Sequence, residues 1–345
     1  GKATHLETKP MLSRTADHLF WMARYMERAE NTARMLDVNY QMSLLPQSAE
    51  QTEQGWRGVL GISELTPSFQ QHYPGFEARN VMEFMVRDAR NPSSIVSCIA
   101  AARENARAVR GTLTTEVWET TNQTWLELNR LLARNSDFHR DPSALFEWVK
   151  FRSHLSRGVT VGTMLQDESL HFLRLGTFLE RADNTARLLD VKFQSLAGDY
   201  FGPRSGQFQS MSQSAPQAQG RETLEVDFYH WSAVLRSVSG FEVYRKVYRN
   251  VIRPDKVAEL LILRPDMPRS LAACMSALMT NLTLVANAQS GETLRRAGRL
   301  HSDLQFGNID EILATGLHAY LTQFLDRVGD LGVGISRDFL VPMAA

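Results

Sequence analysis

Glutamate, asparagine, arginine and glutamine recur in the same order in two stretches of the chain. Residues 27–41 read ERAENTARMLDVNYQ and residues 180–194 read ERADNTARLLDVKFQ, with eleven of the fifteen positions identical. A solvated helix face tolerates almost any polar residue, so a fixed order favours a functional polar surface or a buried structural network over a plain exposed face. The candidate ligand- or partner-binding residues are Glu27, Arg28, Asn31, Arg34 and Gln41 in the first copy and Glu180, Arg181, Asn184, Arg187 and Gln194 in the second.

A second candidate set lies in residues 102–110, which read ARENARAVR. Arg103, Arg107 and Arg110 recur at helical spacing, and Glu104 lies three residues before Arg107. Such an arginine face can hold a carboxylate or a phosphate through paired hydrogen bonds, or it can pair with acidic residues of the repeated stretches. The matching segment of the second half lacks these arginines. A single ligand site would explain this asymmetry, and so would sequence drift.

Other chemistries have weaker support. Glu168 and His171 have the i, i+3 spacing used in di-iron helical bundles, but such sites need a second pair and further carboxylates, so we predict no metal. Cys98 and Cys274 occupy equivalent positions among small and apolar residues, which predicts buried structural thiols. The sequence contains no Walker-type lysine loop, so no nucleotide or other cofactor is predicted.

Long helices must position the polar stretches. Apolar residues recur at steps of four and three from Met22 to Tyr40, which is the stripe of an amphipathic helix, and the second copy repeats the pattern. We predict one helix capped by Ser13 and ending near residue 44, and an equivalent helix from about residue 167. These two helices are expected to lie against each other, either antiparallel or crossed.

Strand signals are nearly absent, so the predicted fold is all-α. We predict a helical bundle of two pseudo-symmetric repeat halves, residues 11–162 and 163–345, which together form one compact unit. Residues 202–220 are rich in Ser, Gln, Gly and Pro, which predicts a flexible insertion. A last long helix is predicted over residues 308–330, with irregular chain from residue 332.

Composition narrows the function classes. The chain has 38 basic and 38 acidic residues, so no overall positive field attracts nucleic acid. No apolar run is long enough to span a bilayer, and no secretory signal is visible. Two cysteines fit a reducing compartment, so we expect a cytoplasmic protein that binds neither nucleic acid nor membrane. Residues 1–10 are expected to be an added segment, because Met11 resembles a natural start.

Three motifs together carry a family resemblance: the two ERA-[ED]-N-T-A-R-x-L-D-V-x-x-Q segments, the opening MLSRTADHLFWMARYMERAENTAR, and the segment ARENAR. They resemble the alpha-E domain family of bacteria, an all-helical family named for a Glu-x-x-Arg signature. The resemblance covers nearly the whole chain after Met11. Glu104 and Arg107 meet the signature spacing, and the region of Glu27 and Arg28 is the alternative position for the defining pair.

The resemblance implies a context more than a mechanism. Alpha-E proteins are typically encoded beside, or fused to, a circularly permuted ATP-grasp ligase, and often beside a transglutaminase-like peptidase. The implied partners are therefore an ATP-grasp ligase and possibly a transglutaminase-like peptidase, with a peptide or amino acid as ligand. We expect an accessory or substrate-binding component of a system that forms or modifies peptide-type amide bonds.

Two alternatives remain open. In the first, the chain is itself an enzyme in which Glu27, Glu104 and Glu180 converge as acid and base groups, as buried glutamates of raised pKa can. In the second, the chain is a structural scaffold whose arginines and glutamates pair internally. Carboxylates gathered in a closed pocket would favour the enzyme, whereas an open groove would favour binding.

Overall fold

The structure is a computed structural model that describes residues 11–134, 137–196 and 219–340, with side chains described outside 195–227. These residues form helices and no strands, so the all-α prediction is confirmed. The helices of the first part are α1 Ser13–Ser43, α2 Ala49–Ile62, α3 Thr66–Gln70, α4 Ala78–Val86, α5 Ile95–Ala108, α6 Thr115–Arg134 and α7 Pro142–Thr163. Those of the second are α8 Glu168–Leu196, α9 Gln219–Ser237, α10 Phe241–Tyr248, α11 Pro254–Leu263, α12 Leu271–Leu284, α13 Gly291–Gln305, α14 Ile309–Thr315 and α15 Leu317–Ile335.

The two long helices α1 and α8 pack against each other. Contacts advance together along both: the backbone N–H of Met11 donates to the Glu168 carboxylate, and Arg28 donates to Glu180. The helices therefore run in the same direction. The expected adjacency is confirmed and the antiparallel arrangement is wrong. Six helices separate α1 from α8 along the chain, so the sequence does not constrain their relative direction.

Small residues allow the close approach of these helices. A Cβ atom at Gly176 of α8 would lie 2.2 Å from the carbonyl oxygen of Phe20 on α1, so only glycine fits there. Ala29 and Ala33 are fully buried on another side of α1, where they join an apolar cluster around Trp56. The helix α1 thus contributes to both apolar clusters of the described chain, one shared with α8 and α12 and one within the first half.

Helix ends differ from the predictions at two places. The N-cap of α1 is Leu12, and no side chain caps this end, so the prediction of a Ser13 cap is wrong. The predicted helix over residues 308–330 is broken at Gly316, whose φ of +98° lies in a region that favours glycine. After this break α15 continues to Ile335, where a π-helical turn follows, so residues 332–340 are helical and the prediction of irregular chain is wrong over this range.

The division into halves 11–162 and 163–345 stays a prediction. Helix α9 begins at Gln219, so the last two residues of the predicted insertion 202–220 are helical. The rest of that insertion, like residues 1–10, lies outside the described residues. None of the described helices is long and apolar enough to cross a membrane.

Candidate functional site

The two Glu-Arg dipeptides of the repeat pair with each other across the α1–α8 interface. Nε of Arg181 donates to Oε1 of Glu27 over 2.9 Å, and its Nη2 donates to Oε2 over 3.3 Å. In the reverse direction, Nε of Arg28 donates to Oε1 of Glu180 over 2.8 Å. Neighbouring residues of one helix do not face each other, so each dipeptide needs the other helix to satisfy both of its charges.

Each of these glutamates also binds a second arginine, and the two copies differ in its source. Glu27 accepts from Nη1 of Arg269, in the loop before α12, over 2.9 Å. Glu180 accepts from Nε of Arg24 on α1 over 2.9 Å. The position that matches Arg269 in the first half holds the neutral Ser93. The crossed pairing is therefore common to both copies, whereas the supporting cations are not.

Glu30, almost one turn after Glu27, binds three arginines. Its Oε1 accepts from Nη1 of Arg157 on α7 over 2.6 Å, and its Oε2 accepts from Nε of Arg34 over 2.9 Å and from Nη2 of Arg269. Nη1 of Arg157 also lies 3.5 Å from Glu27. Together with Arg181 of α8, these arginines place four guanidinium groups around the carboxylates of Glu27 and Glu30. This leaves an excess of two positive charges within the cluster.

The carboxylates of this network stay ionised. Burial alone would raise the pKa of Glu27, but Arg181 and Arg269 outweigh burial and hold its pKa below the ordinary value. Burial also opposes ionisation of Glu180 and Glu30, and their arginine neighbours again lower both pKa values. A general acid needs a raised pKa, so these buried carboxyls are poor proton donors near neutral pH.

The three glutamates of the enzyme hypothesis do not form a common acid–base cluster. Glu104 lies at the surface with about half of its side chain exposed, and it pairs there with Arg103 and Arg107. Glu27 and Glu180 are buried and bound to arginines instead. The expectation of converging carboxyls with raised pKa is therefore wrong, because the arginines around the buried pair favour the ionised form.

His154 on α7 has an arginine at each ring nitrogen. Nδ1 lies 2.8 Å from Nη2 of Arg157, and Nε2 lies 3.2 Å from Nη2 of Arg34. Burial is the largest influence that holds the pKa of His154 below its ordinary value, and the two arginines add to it. A neutral imidazole offers one acceptor nitrogen, so one of the two arginine N–H groups has no acceptor at this ring.

A cavity of about 430 Å³ lies beside this network, between α1, α5, α6, α7, α8 and α12. Glu27 and Arg181 line it and are nearly fully buried, so they mark its inner end. Val161 on α7 also lines it and is 56% exposed, which marks the opening. Much of the remaining wall is apolar and includes Met22, Met26, Leu170, Leu173 and Phe178.

Arg174 on α8 lines the same cavity and is only partly exposed. It makes no hydrogen bond or ion pair with the residues that the structure describes, unlike Arg157 and Arg181. A guanidinium group with free donors in a cavity can bind a carboxylate or phosphate through two parallel hydrogen bonds. The described residues of the wall therefore present three guanidinium groups and a single carboxylate, that of Glu27, to a ligand.

The other polar residues of the first repeated stretch divide between interior and surface. Asn31 is buried and accepts from Nη1 of Arg269 over 3.0 Å, and Arg34 is buried against Glu30. Gln41 is exposed and donates to Ser143. The buried-network alternative thus fits the middle of this stretch.

The second stretch follows a similar course. Asn184 is half-buried, and Arg187 pairs with Asp183 over 2.8 Å and with Glu64 over 2.6 Å. Gln194 is exposed. Among the residues of the two stretches, the structure places Glu27 and Arg181 in the cavity wall.

The predicted arginine face lies at the surface, outside that wall. Arg103 and Arg107 both donate to Glu104, and the side chain of Arg107 is 65% exposed. Arg110 lies over the ring of Trp118, 5.0 Å from its centre. Of the described residues in segment 102–110, the cavity wall includes only Ala102, which directly precedes Arg103.

Sequence reasoning did not single out Arg157, Arg174 and Arg269. One signal was present for Arg174, which lies seven residues before Arg181 and therefore on the same face of α8. Arg157 and Arg269 lie outside the repeated stretches, on α7 and in the loop before α12. Their role depends on packing between distant segments, so spacing alone does not reveal it.

The remaining candidates for metal or thiol chemistry have structural partners. The predicted buried thiols are confirmed, and burial raises the pKa of Cys98 and Cys274 to about 12. His171 pairs with Asn281 over 3.1 Å, and Glu168 accepts from a backbone N–H. Within the described ranges no three or more His, Cys, Asp or Glu side chains lie together where they could hold a metal ion.

Residues 11–340 match the sequence model of the Alpha-E family, described as a predicted alpha-helical domain with a conserved ER motif. The chain belongs to the Alpha-E family. The Glu-Arg dipeptide occurs in it twice, at Glu27-Arg28 and at Glu180-Arg181. These are the two dipeptides that pair across α1 and α8, which favours them over the surface pair Glu104 and Arg107 as the site of the motif. No curated protein and no solved structure matches the chain.

Proposed function

We propose that this Alpha-E chain holds a carboxylate-bearing peptide or amino acid for a system that forms or modifies peptide-type amide bonds. The observation that carries the proposal is Arg174, which has no partner among the described residues, in a cavity whose described lining has three guanidinium groups and one carboxylate. An excess of positive charge in a partly buried site favours an anionic ligand. The cavity volume of about 430 Å³ is in the range of pockets that bind small molecules.

The lining of the cavity favours recognition over turnover. The described residues that line it include no cysteine, histidine or lysine, so its serine and threonine hydroxyls lack a general base. The carboxylate of Glu27 already accepts from three arginines and stays ionised. ATP-dependent activation is therefore assigned to a partner, an ATP-grasp ligase, on the resemblance given above.

The exposed arginine face is our candidate for the contact with that partner. Arg107 projects from α5 into solvent, and Arg103 and Arg110 lie beside it. Exposed arginines are enriched at protein interfaces, where they pair with carboxylates of the partner. A transglutaminase-like peptidase is the second partner that we propose.

Two matched variants distinguish the binding of the ligand from the binding of the partner protein. The tagged chain is expressed in its native bacterium, captured, and its co-purifying proteins are identified by mass spectrometry; peptide binding is measured on the purified chain. We expect an ATP-grasp ligase with the wild type. We expect Arg107→Gln to weaken capture of the ligase and to leave peptide binding unchanged. We expect Arg174→Gln to weaken peptide binding and to leave capture of the ligase unchanged. A chain that captures no ligase and binds no peptide or amino acid would contradict the proposal.

A further inference from the structure

The charges around the cavity disfavour a ligand that carries an ammonium group. Glu27 is the single carboxylate among the described lining residues, and its oxygens accept from Arg181, Arg269 and Arg157. An ammonium group that entered would find no negatively charged group among the described lining residues that is free to accept its hydrogen bonds. It would also lie near several guanidinium groups, and like charges placed together repel each other.

The apolar wall calls for a ligand with an apolar body. Met22 and Met26 of α1 line the cavity together with Leu173 and Phe178 of α8, and the exposed Val161 lines its opening. An anion without apolar atoms would leave this wall in contact with water. An apolar side chain of the ligand would cover this wall, and the removal of apolar surface from water favours binding.

Hydroxyl groups in the cavity wall can form hydrogen bonds with an amide group of the ligand. The side chains of Ser156 and Thr177 line the cavity, and neither makes a hydrogen bond with the described part of the chain. Thr177 lies three residues after Arg174 on the same face of α8. A ligand with an amide close to its carboxylate can therefore bond to both groups at once.

We propose that the cavity binds a monocarboxylate that has an apolar body and an acylated nitrogen in place of a free ammonium group. This is the chemistry of a peptide C-terminus that ends in a large apolar residue, and of an N-acyl amino acid. The carboxylate binds Arg174, the apolar side chain packs on the methionine and leucine wall, and the amide bonds to Thr177. The inference rests on the proposed function and specifies its substrate as a peptide end, as opposed to a free amino acid.

Isothermal titration of the wild-type chain with four related ligands tests this. N-acetylphenylalanine is expected to bind. Phenylalanine, which differs by its ammonium group, is expected to bind at least about tenfold more weakly. N-acetylphenylalaninamide, which lacks the carboxylate, is expected to bind about ten- to a hundredfold more weakly. Octanoate has the carboxylate and an apolar body without the amide, and is expected to bind more weakly than N-acetylphenylalanine.

A variant distinguishes the amide-bearing ligand from a fatty acid. Thr177→Val is expected to weaken N-acetylphenylalanine several-fold and to leave octanoate unchanged. Phenylalanine that binds as tightly as its N-acetyl form would overturn the inference, and so would octanoate that binds as tightly. Binding of free amino acids at least as tightly as their N-acetyl forms, with capture of the ligase, would refute this inference while the proposed function stands. Binding of none of these ligands would refute the inference, and the capture experiment would then decide the partner half of the proposal separately.

Discussion

Glu27 on α1 and Arg181 on α8 lie 154 residues apart in the chain and form an ion pair, with Nε 2.9 Å from Oε1. The residues next to them, Arg28 and Glu180, form the reverse pair. A glutamate followed by an arginine presents its two charges about 100° apart around a helix, so neither can satisfy the other. Two such dipeptides on facing helices can satisfy both. This geometry explains why the same dipeptide occurs in both long helices.

Removing the charge of Glu27 should strongly destabilise the fold. In Glu27→Gln the buried Arg181 and Arg269 lose their shared carboxylate, and breaking a buried ion pair on one side costs about 3–5 kcal/mol. The matched control is Glu53→Gln, which removes an exposed pair with Arg57 and should cost at most about 1 kcal/mol. Urea unfolding measures both. Equal costs for the two variants would contradict the network's structural role.

The crossed pair on the other side should show direct coupling. Arg28→Gln and Glu180→Gln, alone and combined, form a double-mutant cycle for a contact of 2.8 Å. We expect the double variant to be less destabilised than the sum of the singles, with a coupling energy of about 0.5–3 kcal/mol. Additive costs would mean that the two side chains do not depend on each other.

The pKa values of the network predict acid sensitivity. Glu27, Glu30 and Glu180 have folded-state pKa values below the ordinary 4.5, so the unfolded chain takes up protons before the folded one. Their contribution to stability is complete above pH 4.5 and is lost as the pH falls below it. The free energy of unfolding should therefore fall steeply below about pH 4.5. Glu30→Gln should flatten this slope, and an unchanged slope would refute the assignment.

His230 predicts a separate pH dependence at milder acidity. Burial, with a smaller effect of Lys192, lowers the pKa of His230 from 6.5 to about 3. Below pH 6.5 this histidine is therefore protonated in the unfolded chain and neutral in the folded protein. The free energy of unfolding should fall by about 1.4 kcal/mol for each pH unit below 6.5. We expect His230→Gln to reduce this slope between pH 6.5 and 5, where His154 also contributes, and the exposed His72→Gln to leave it unchanged. The same slope in both variants would show that His230 is not its source.

The sequence predicted the frame better than the site. Helical periodicity located both ends of α1 and the start of α8 to within a residue or two, because the apolar stripes extend over many turns. The repeat also identified Glu27 and Glu180, and Arg28 and Arg181, as equivalent positions, but not that Glu27 would pair with Arg181. It did not predict the parallel direction of the helices, or the break at Gly316, where a single residue in an otherwise helical pattern changes the chain direction.

Sequence patterns could not predict the cavity, because packing between distant segments forms it. Its wall combines residues from six helices, and Arg157 and Arg269 reach Glu30 from segments far away in the chain. The segment that looked most like an anion site, around Arg107, is exposed and pairs with its own neighbour Glu104. Spacing within one helix shows which residues share a face, but packing between helices decides which face encloses a cavity.

The most direct test of the account is the affinity of a short peptide with a free C-terminal carboxylate for three forms of the protein. Fluorescence anisotropy of the labelled peptide would compare the wild type, Arg174→Gln in the cavity, and Arg299→Gln on the exposed face of α13 as the matched control. We predict a loss of about ten- to a hundredfold for Arg174→Gln and no change for Arg299→Gln. Equal affinity of all three forms would contradict the claim that this cavity binds a carboxylate.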